Sequence, residues 1–196
     1  MAFIGLLHPV AAKVATETRG QELTYEDGAV IGKAIQANVN LDRSDNPLYG
    51  DDEICENDNG LRGGTIDLGL DDLLPDQQVA LLGHTAVTVG TGQEQTTEYD
   101  ATEKPAPYVG FGYVRVRRKG GVVGYEARWY HKVQFGLTAE TAQTKGQSIE
   151  WQTPSVTGRI MGVHNDASGE AKYYRYASFD TEAAALAWLD AKAGIE

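Results

Sequence analysis

Apolar and polar residues alternate without a break between residues 31 and 42. One side of the pattern is apolar, with a lysine stem among its members: Ile31, Lys33, Ile35, Ala37, Val39 and Leu41. The other side is small or polar: Gly32, Ala34, Gln36, Asn38, Asn40 and Asp42. A period of two predicts a β-strand with one face on a core and the other on water or a polar partner.

Most of the remaining sequence also has the pattern of short β-strands. Further strands are predicted at 61–70, 108–118, 122–135, 148–153, 156–163 and 172–176, and residues 84–106 hold a weak strand before a polar loop at 91–97. Strands 108–118 and 122–135 form a hairpin, because the glycines between them supply the positive φ that the turn needs. One face of the second strand is predicted to hold Tyr125, Ala127, Trp129, His131, Val133 and Phe135.

Two short helices complete the pattern. Residues 71–76 open the first helix and Gly83 ends it. The second covers residues 180–192, with Asp180 as its N-cap and an apolar stripe for packing. Together these elements predict a mainly β, α+β fold: two packed antiparallel sheets, as a sandwich or partial barrel, flanked by one or two short helices and carrying an extended loop or arm. No boundary divides the sequence, so residues 1–196 are expected to form one domain.

Charge and cysteine content exclude several classes of function. Acidic residues outnumber basic ones by 28 to 17, which gives a net charge of −11. This argues against a nucleic-acid groove and against an anionic membrane surface, since both require clustered cations. A single cysteine, Cys55, excludes internal disulfides and cysteine-based zinc sites. With no secretory signal and no run of ~20 apolar residues, we expect synthesis and folding in a reducing cytoplasm, without a membrane anchor.

The acidic segment at residues 51–58 is the candidate metal site. Oxygen ligands suit calcium or magnesium, but Cys55 falls where an EF-hand loop needs its first ligand. A solvated or partner-facing loop is the other interpretation. We therefore expect no metal at this segment.

The titratable residues do not form a catalytic pattern. Glu126 and Glu150 could act as paired carboxylates on sugars, yet such residues are usual on any exposed sheet face. The histidines are not spaced as a metal pair: His8, His84, His131 and His164. His131 is expected to be a buried, hydrogen-bonded core residue. We predict no enzyme activity, no catalytic residues and no cofactor.

Short segments of characteristic sequence follow one another along residues 1–165. They are Ile4–Leu6, Pro9–Lys13, Val30–Ala34, the acidic stretch 45–60, Val79–His84, Pro107–Tyr113 and Thr144–Pro154. Their order and spacing resemble the major tail protein family of long-tailed bacteriophages, the subunit of the tail tube.

The resemblance implies a structural role. In that family a β-sandwich subunit assembles into hexameric rings, which stack into a tube through which the genome is ejected. The implied location is the virion tail, after synthesis in the host bacterial cytoplasm. The implied partners are further copies of the chain and other tail proteins, such as the tape measure, tail tip and terminator, with DNA only as non-sticking cargo in the lumen.

Three sets of residues are candidates for roles in such a tube. The polar face of the first strand is the candidate lumen lining: Gln36, Asn38, Asn40 and Asp42. Residues 43–60 match the loop that reaches the next ring, with an ordinary surface loop as the alternative; its candidate contacts are Leu48, Tyr49, Asp51, Asp52, Glu53, Ile54, Glu56 and Asp58. A basic counterpart on a neighbouring subunit is predicted at Arg115, Arg117 and Arg118.

A carbohydrate-binding or adhesin-type sandwich is the alternative function. Aromatic side chains on strands could line a sugar-binding face: Trp129, Tyr130, Trp151, Tyr173, Tyr174 and Tyr176. Aromatics at such positions are also typical of a core or a subunit interface.

Overall fold

The computed structural model describes residues 2–90, 95–139, 143–144 and 152–195. Strands dominate it, in one large antiparallel sheet and two small ones, with two short helices. The expected mainly β, sandwich-like fold class is confirmed.

The described residues contain twelve strands and two helices. The first six strands are β1 Ala2–Thr16, β2 Thr24–Val30, β3 Ala34–Arg43, β4 Asn46–Gly50, β5 Glu53–Asp58 and β6 Leu61–Leu70. The other six are β7 Thr85–Val89, β8 Thr96–Asp100, β9 Tyr108–Lys119, β10 Val122–Ala139, β11 Ser155–Ile160 and β12 Tyr174–Phe179. The helices are α1 Pro75–Leu82 and α2 Glu182–Ala193.

Eight strands form the large sheet, in the order β2-β1-β9-β10-β11-β6-β3, with β12 also paired to β10. Strand β10 is long enough to take two neighbours along one edge. Its first half pairs with β12 and its second half with β11. The remaining strands form two separate hairpins, β4–β5 and β7–β8.

The large sheet curls, because its two marginal strands are consecutive in the chain. Only residues 31–33 separate β2 from β3, and a link of that length spans about 14 Å when fully extended. Seven strands side by side in a flat sheet would hold their margins about 29 Å apart. The sheet therefore folds over on itself as a partial barrel.

Two hydrophobic cores lie on opposite faces of this sheet. The inner core lies inside the curl and is closed by α1; its largest side chains include Phe111, Tyr130, Phe135 and Leu81. The outer core lies under α2, where Trp129 and Val114 pack against Ala185 and Leu189. Strands β9 and β10 contribute to both cores, so they are buried on both faces.

The predicted faces of β10 are correct only as far as Tyr130. Trp129 lies in the outer core, whereas Val133 and Phe135, predicted on the same face, lie in the inner core. The reason is a bulge in the pairing with β9, between Tyr130 and Val133. One extra residue in a bulge reverses the alternation beyond it.

The first predicted strand starts later than expected. Gly32 has a φ of +49° and interrupts the extended chain, so β3 begins at Ala34. Ile35, predicted to face the core, is 57% exposed, because the pairing with β6 is irregular between Ala34 and Gln36. From Ala37 onward the predicted alternation holds.

Both predicted helices are present, with two corrections. Helix α1 begins at Pro75, so Asp71 and Asp72, which were predicted to open it, precede the helix. Helix α1 ends at Gly83, whose φ of +76° closes it as predicted. Helix α2 begins at Glu182, and its N-cap is Thr181 rather than Asp180, since the Thr181 hydroxyl accepts a hydrogen bond from the Ala184 N–H at 3.4 Å. The α2 stripe of Ala185, Leu189 and Ala193 is buried.

Three other predictions differ from the structure. Thr96 and Thr97, predicted in a loop, belong to β8, while residues 91–94 lie outside the described residues. Of the strand predicted at 148–153, residues 148–151 are also outside them, and 152–154 have no regular structure. The strand predicted at 172–176 lies at 174–179 as β12.

Candidate assembly surfaces

The segment predicted as an inter-ring loop, residues 43–60, is a β-hairpin. Strands β4 and β5 pair with each other in a separate two-stranded sheet. The hairpin connects the end of β3 to the start of β6 and projects from that end of the large sheet. We call residues 44–60 the acidic hairpin, because the segment carries six carboxylates and no lysine or arginine.

The neck of the acidic hairpin, where residues 44 and 60 meet, is closed by hydrogen bonds. The Ser44 N–H donates to the Gly60 carbonyl at 2.8 Å, and the Gly60 N–H donates to the Ser44 hydroxyl at 2.9 Å. Hydrogen bonds from Ser44 and from the Gly60 N–H lower the pKa of Asp58. The neck is therefore a defined structure although the hairpin above it is exposed.

Asp51 and Asp52 form the turn of the acidic hairpin. Their φ values are +50° and +65°, and two consecutive positive values are the requirement of a type I′ turn. Aspartate tolerates this backbone region better than most residues with a side chain. Two of the predicted contact carboxylates thus have a conformational role in addition to their charge.

Large apolar side chains are exposed on the acidic hairpin. Leu48, Tyr49 and Ile54 are 61%, 63% and 61% exposed, and Tyr49 lies directly across the ladder from Ile54. An isolated two-stranded hairpin is marginally stable in water. Such side chains without a covering layer are typical of a surface that binds another protein.

The four candidate lumen residues lie together on one exposed face of β3. Gln36, Asn38, Asn40 and Asp42 pair across the ladder with Gly69, Asp67, Thr65 and Gly63 of β6. Thr65 and Asp67 pair in turn with Arg159 and Thr157 of β11. Since directly paired residues share a sheet face, the predicted row extends into a polar face across three strands. We call β3, β6 and β11 on this side the polar face.

Arg115 belongs to an ion cluster inside the subunit. Its Nη2 lies 2.5 Å from Oε1 of Glu126, and the Nε of Arg128 lies 2.7 Å from the same oxygen. Burial raises the pKa of Glu126, but hydrogen bonds from Arg128 and Arg115 outweigh it, so this pKa is below its ordinary value. Arg115 is therefore occupied within its own chain.

Arg117 and Arg118 lie at the end of the β9–β10 hairpin. Lys119 lies at the same end, together with two exposed valines, Val122 and Val123, of which Val122 is 73% exposed. No ion pair engages any of these three cations within the described residues. We call residues 117–119 with 122–123 the basic end.

The basic end borders a shallow hollow of about 300 Å³. Arg117, Lys119, Val122 and Val123 line it together with Gly124 and Asp180. Phe3 and Ile4 are also exposed nearby, at the start of β1, which pairs with this part of β9. Sequence patterns did not indicate these apolar residues, because a period of two locates strands but does not show which strand ends lack a covering layer.

Within the described residues, the side chains considered for catalysis or metal binding are not brought together in one site. Among the described residues no three histidine, cysteine or acidic side chains lie close enough to hold a metal ion. His131 is buried as predicted, and burial, with the positive charges of Arg175 and Lys192, lowers its pKa to about 4. Glu126 is engaged by two arginines, and Glu150 lies outside the described residues.

The aromatic residues of the alternative function are divided between core and surface. Trp129 and Tyr130 are fully buried, so neither contributes to a sugar-binding face. Tyr176 is exposed, and Trp151 lies outside the described residues.

Comparison with known proteins gives no family for this chain. No protein-family model matches the sequence, and no curated protein is significantly similar to it. Within the described residues, neither helix has the length and apolar character that crossing a bilayer requires.

Proposed function

We propose that this protein is the tail tube subunit of a long-tailed bacteriophage. It would assemble with copies of itself into hexameric rings that stack into a tube in the virion, and the tube would conduct the genome during ejection. The proposal rests on the resemblance of the sequence to major tail proteins and on surfaces of the structure that suit self-assembly.

The acidic hairpin carries the proposal. It exposes Leu48, Tyr49 and Ile54 on an arm that forms its own small sheet. A subunit that acts alone gains nothing from this arrangement, because exposed apolar side chains on a marginal hairpin stabilise neither the hairpin nor the core. A subunit that assembles gains contact area outside its own sheet.

The margins of the large sheet support the same proposal. Strand β3 pairs with β6 on one side, and within the described residues no strand pairs with its other edge. An open edge presents unpaired backbone N–H and C=O groups that another chain can complete. Identical subunits in a ring would remove this edge.

The polar face is suited to line a channel for DNA. It presents amides, hydroxyls and the carboxylates of Asp42 and Asp67, with Arg159 as its cation. A net charge of −11 per subunit repels phosphate at longer range. DNA would therefore pass such a wall without binding to it.

The test is electron microscopy of the concentrated protein beside a variant without the acidic hairpin. Because Ser44 and Gly60 are directly hydrogen bonded, residues 45–59 can be replaced by an Asn-Gly turn that joins them. We expect rings or tubes from the wild-type chain. The trimmed variant should unfold with unchanged cooperativity and should form no tubes.

The matched control is Val87→Ser with Val89→Ser, which removes two exposed valines from the other small hairpin, β7–β8. This control should still assemble. A wild-type chain that sediments as a monomer up to its solubility limit would overturn the proposed function.

A further inference from the structure

We infer that the acidic hairpin of one subunit docks on the basic end of a second copy of the same chain. This inference rests on the proposed function and specifies the contact by which the copies recognise each other. The hairpin supplies exposed apolar side chains on its two strands with carboxylates beside them and at the turn, and the basic end supplies exposed valines with cations beside them.

The apolar parts of the two surfaces are matched in kind. Leu48, Tyr49 and Ile54 are exposed on the hairpin, as are Val122 and Val123 on the basic end. The hollow of about 300 Å³ beside these valines offers a concave site for a protruding side chain. Apolar burial would drive the association, at roughly 25 cal/mol per Å² of apolar surface removed from water.

The charges of the two surfaces are opposite. The hairpin carries Asp45, Asp51, Asp52, Glu53, Glu56 and Asp58. The basic end carries Arg117, Arg118 and Lys119, with Asp180 as a carboxylate on the rim of the hollow. Opposite charges around an apolar centre fix the register of a contact and exclude wrong partners.

Each surface is available for a contact between subunits. No hydrogen bond or ion pair joins the hairpin to the basic end within the described residues. Arg115 was predicted to belong to the same basic group, but it forms an ion pair with Glu126 of its own chain. The cations available to a second copy are therefore Arg117, Arg118 and Lys119. A contact between two different surfaces leaves one of each unoccupied, so the same contact can repeat from copy to copy and, in the proposed tube, join one ring to the next.

Charge reversal tests the contact. Glu53→Lys with Glu56→Lys reverses two of the six charges of the hairpin, both on β5 beside the exposed Ile54, and changes the hairpin charge from −6 to −2 without altering the turn residues Asp51 and Asp52. Arg117→Glu with Arg118→Glu reverses the basic end. Each double variant should raise the critical concentration for assembly on the order of tenfold or more, since the substituted side chains then face side chains of the same charge.

Restoration is the decisive result. Combining the four substitutions in one chain should bring the critical concentration back towards the wild-type value, and mixing the two double variants should do the same, because the two lysines of the hairpin then face the two glutamates of the basic end. The matched control for the hairpin variant is Glu98→Lys with Glu103→Lys, which makes the same change in net charge at exposed positions that belong to neither surface. It should leave assembly unchanged.

Thermal unfolding shows whether each variant has folded. Cys55 is exposed on β5, so its protection from a thiol reagent on assembly reports contact at the hairpin itself. Wild-type assembly that persists in both reversed variants, or that is not restored by the combination, would overturn this inference and leave the proposed function standing. A small oligomer that is lost and restored as described, without tubes, would support the contact and overturn the tail tube. A wild-type monomer at all concentrations would overturn both.

Discussion

The protein contains two hairpins of very different kind, β9–β10 and β4–β5. The first is buried on both faces along its middle, with Phe111 in the inner core and Trp129 in the outer core, and its end around residues 118–123 is exposed. The second is exposed along almost its whole length and is held by its neck and turn. The comparison shows that the same local structure can be specified by a core in one place and only by turn chemistry in another.

The first hairpin therefore stabilises the fold, whereas the second is available for binding. Burial of large side chains stabilises β9–β10, at about 1.5–3 kcal/mol for each one. The acidic hairpin receives little of this stabilisation within the subunit. Substitutions in the buried part of β9–β10 should therefore affect stability, and substitutions in the acidic hairpin should affect assembly.

The largest expected effect comes from truncating an aromatic residue in each region. Trp129→Ala removes a fully buried ring that packs edge-on against Tyr25 at 5.1 Å between ring centroids. We expect a loss of about 3–5 kcal/mol in the free energy of unfolding, from lost burial and the cavity left behind. Tyr49→Ala, on the acidic hairpin, should change it by less than about 0.5 kcal/mol. Urea unfolding of both variants gives the two values.

Tyr49→Ala should instead raise the critical concentration for assembly, a property that a purely structural surface residue would not change. Equal losses of stability in the two variants would show that the hairpin is part of the folding unit after all. The division between the two regions would then be wrong.

Acid should destabilise the region around β10 through His131. Its pKa in the folded protein is about 4, against about 6.5 in an unfolded chain. Between these values the unfolded chain binds more protons, so stability falls as the pH is lowered from 6.5 towards 4. We expect a loss on the order of 2 kcal/mol from this group at pH 5 relative to pH 7. Urea unfolding at the two pH values measures it.

His131→Gln is the control for the acid effect, because glutamine does not titrate. Most of the difference between pH 7 and pH 5 should disappear in this variant. If the full difference remains, other groups cause it and His131 is not the titrating residue.

The sequence predicted several elements that a core stabilises, although not β1, in which Val10, Ala11 and Ala12 are buried. Strands β6, β9 and β10 and both helices lie close to their predicted positions, because alternation and glycine end signals are local properties of the chain. The failures have a physical pattern. Val133 and Phe135 changed face at a bulge, and Ile35 was exposed where pairing with β6 is irregular. A bulge depends on the partner strand, which the sequence of one strand does not describe.

The candidate site was predicted in part for the same reason. The row from Gln36 to Asp42 is on one exposed face as expected, since it follows from the period of β3 alone. The segment 43–60 was predicted as a loop, because the residues of β4 and β5 show no regular alternation of apolar and polar side chains. Arg115 could not be separated from Arg117 by sequence, since its engagement depends on Glu126 across the ladder.

The smallest expected effect on stability concerns the turn of the acidic hairpin. Asp51→Asn with Asp52→Gly installs the preferred type I′ pair at two positions of positive φ. The gain should be at most about 1 kcal/mol and confined to the hairpin, so that hydrogen exchange of the β4 and β5 amides slows while unfolding of the whole protein is unchanged.

Asp51→Asn with Asp52→Asn removes the same two charges and keeps a residue that tolerates positive φ. If the turn acts through conformation, only the Asn-Gly variant should slow exchange; if both variants slow it equally, relief of repulsion between the two carboxylates is the cause. The critical concentration for assembly of the two variants distinguishes conformation from charge a second time. A more ordered hairpin lowers the entropy lost on docking, whereas the loss of two carboxylates weakens the attraction to the basic end.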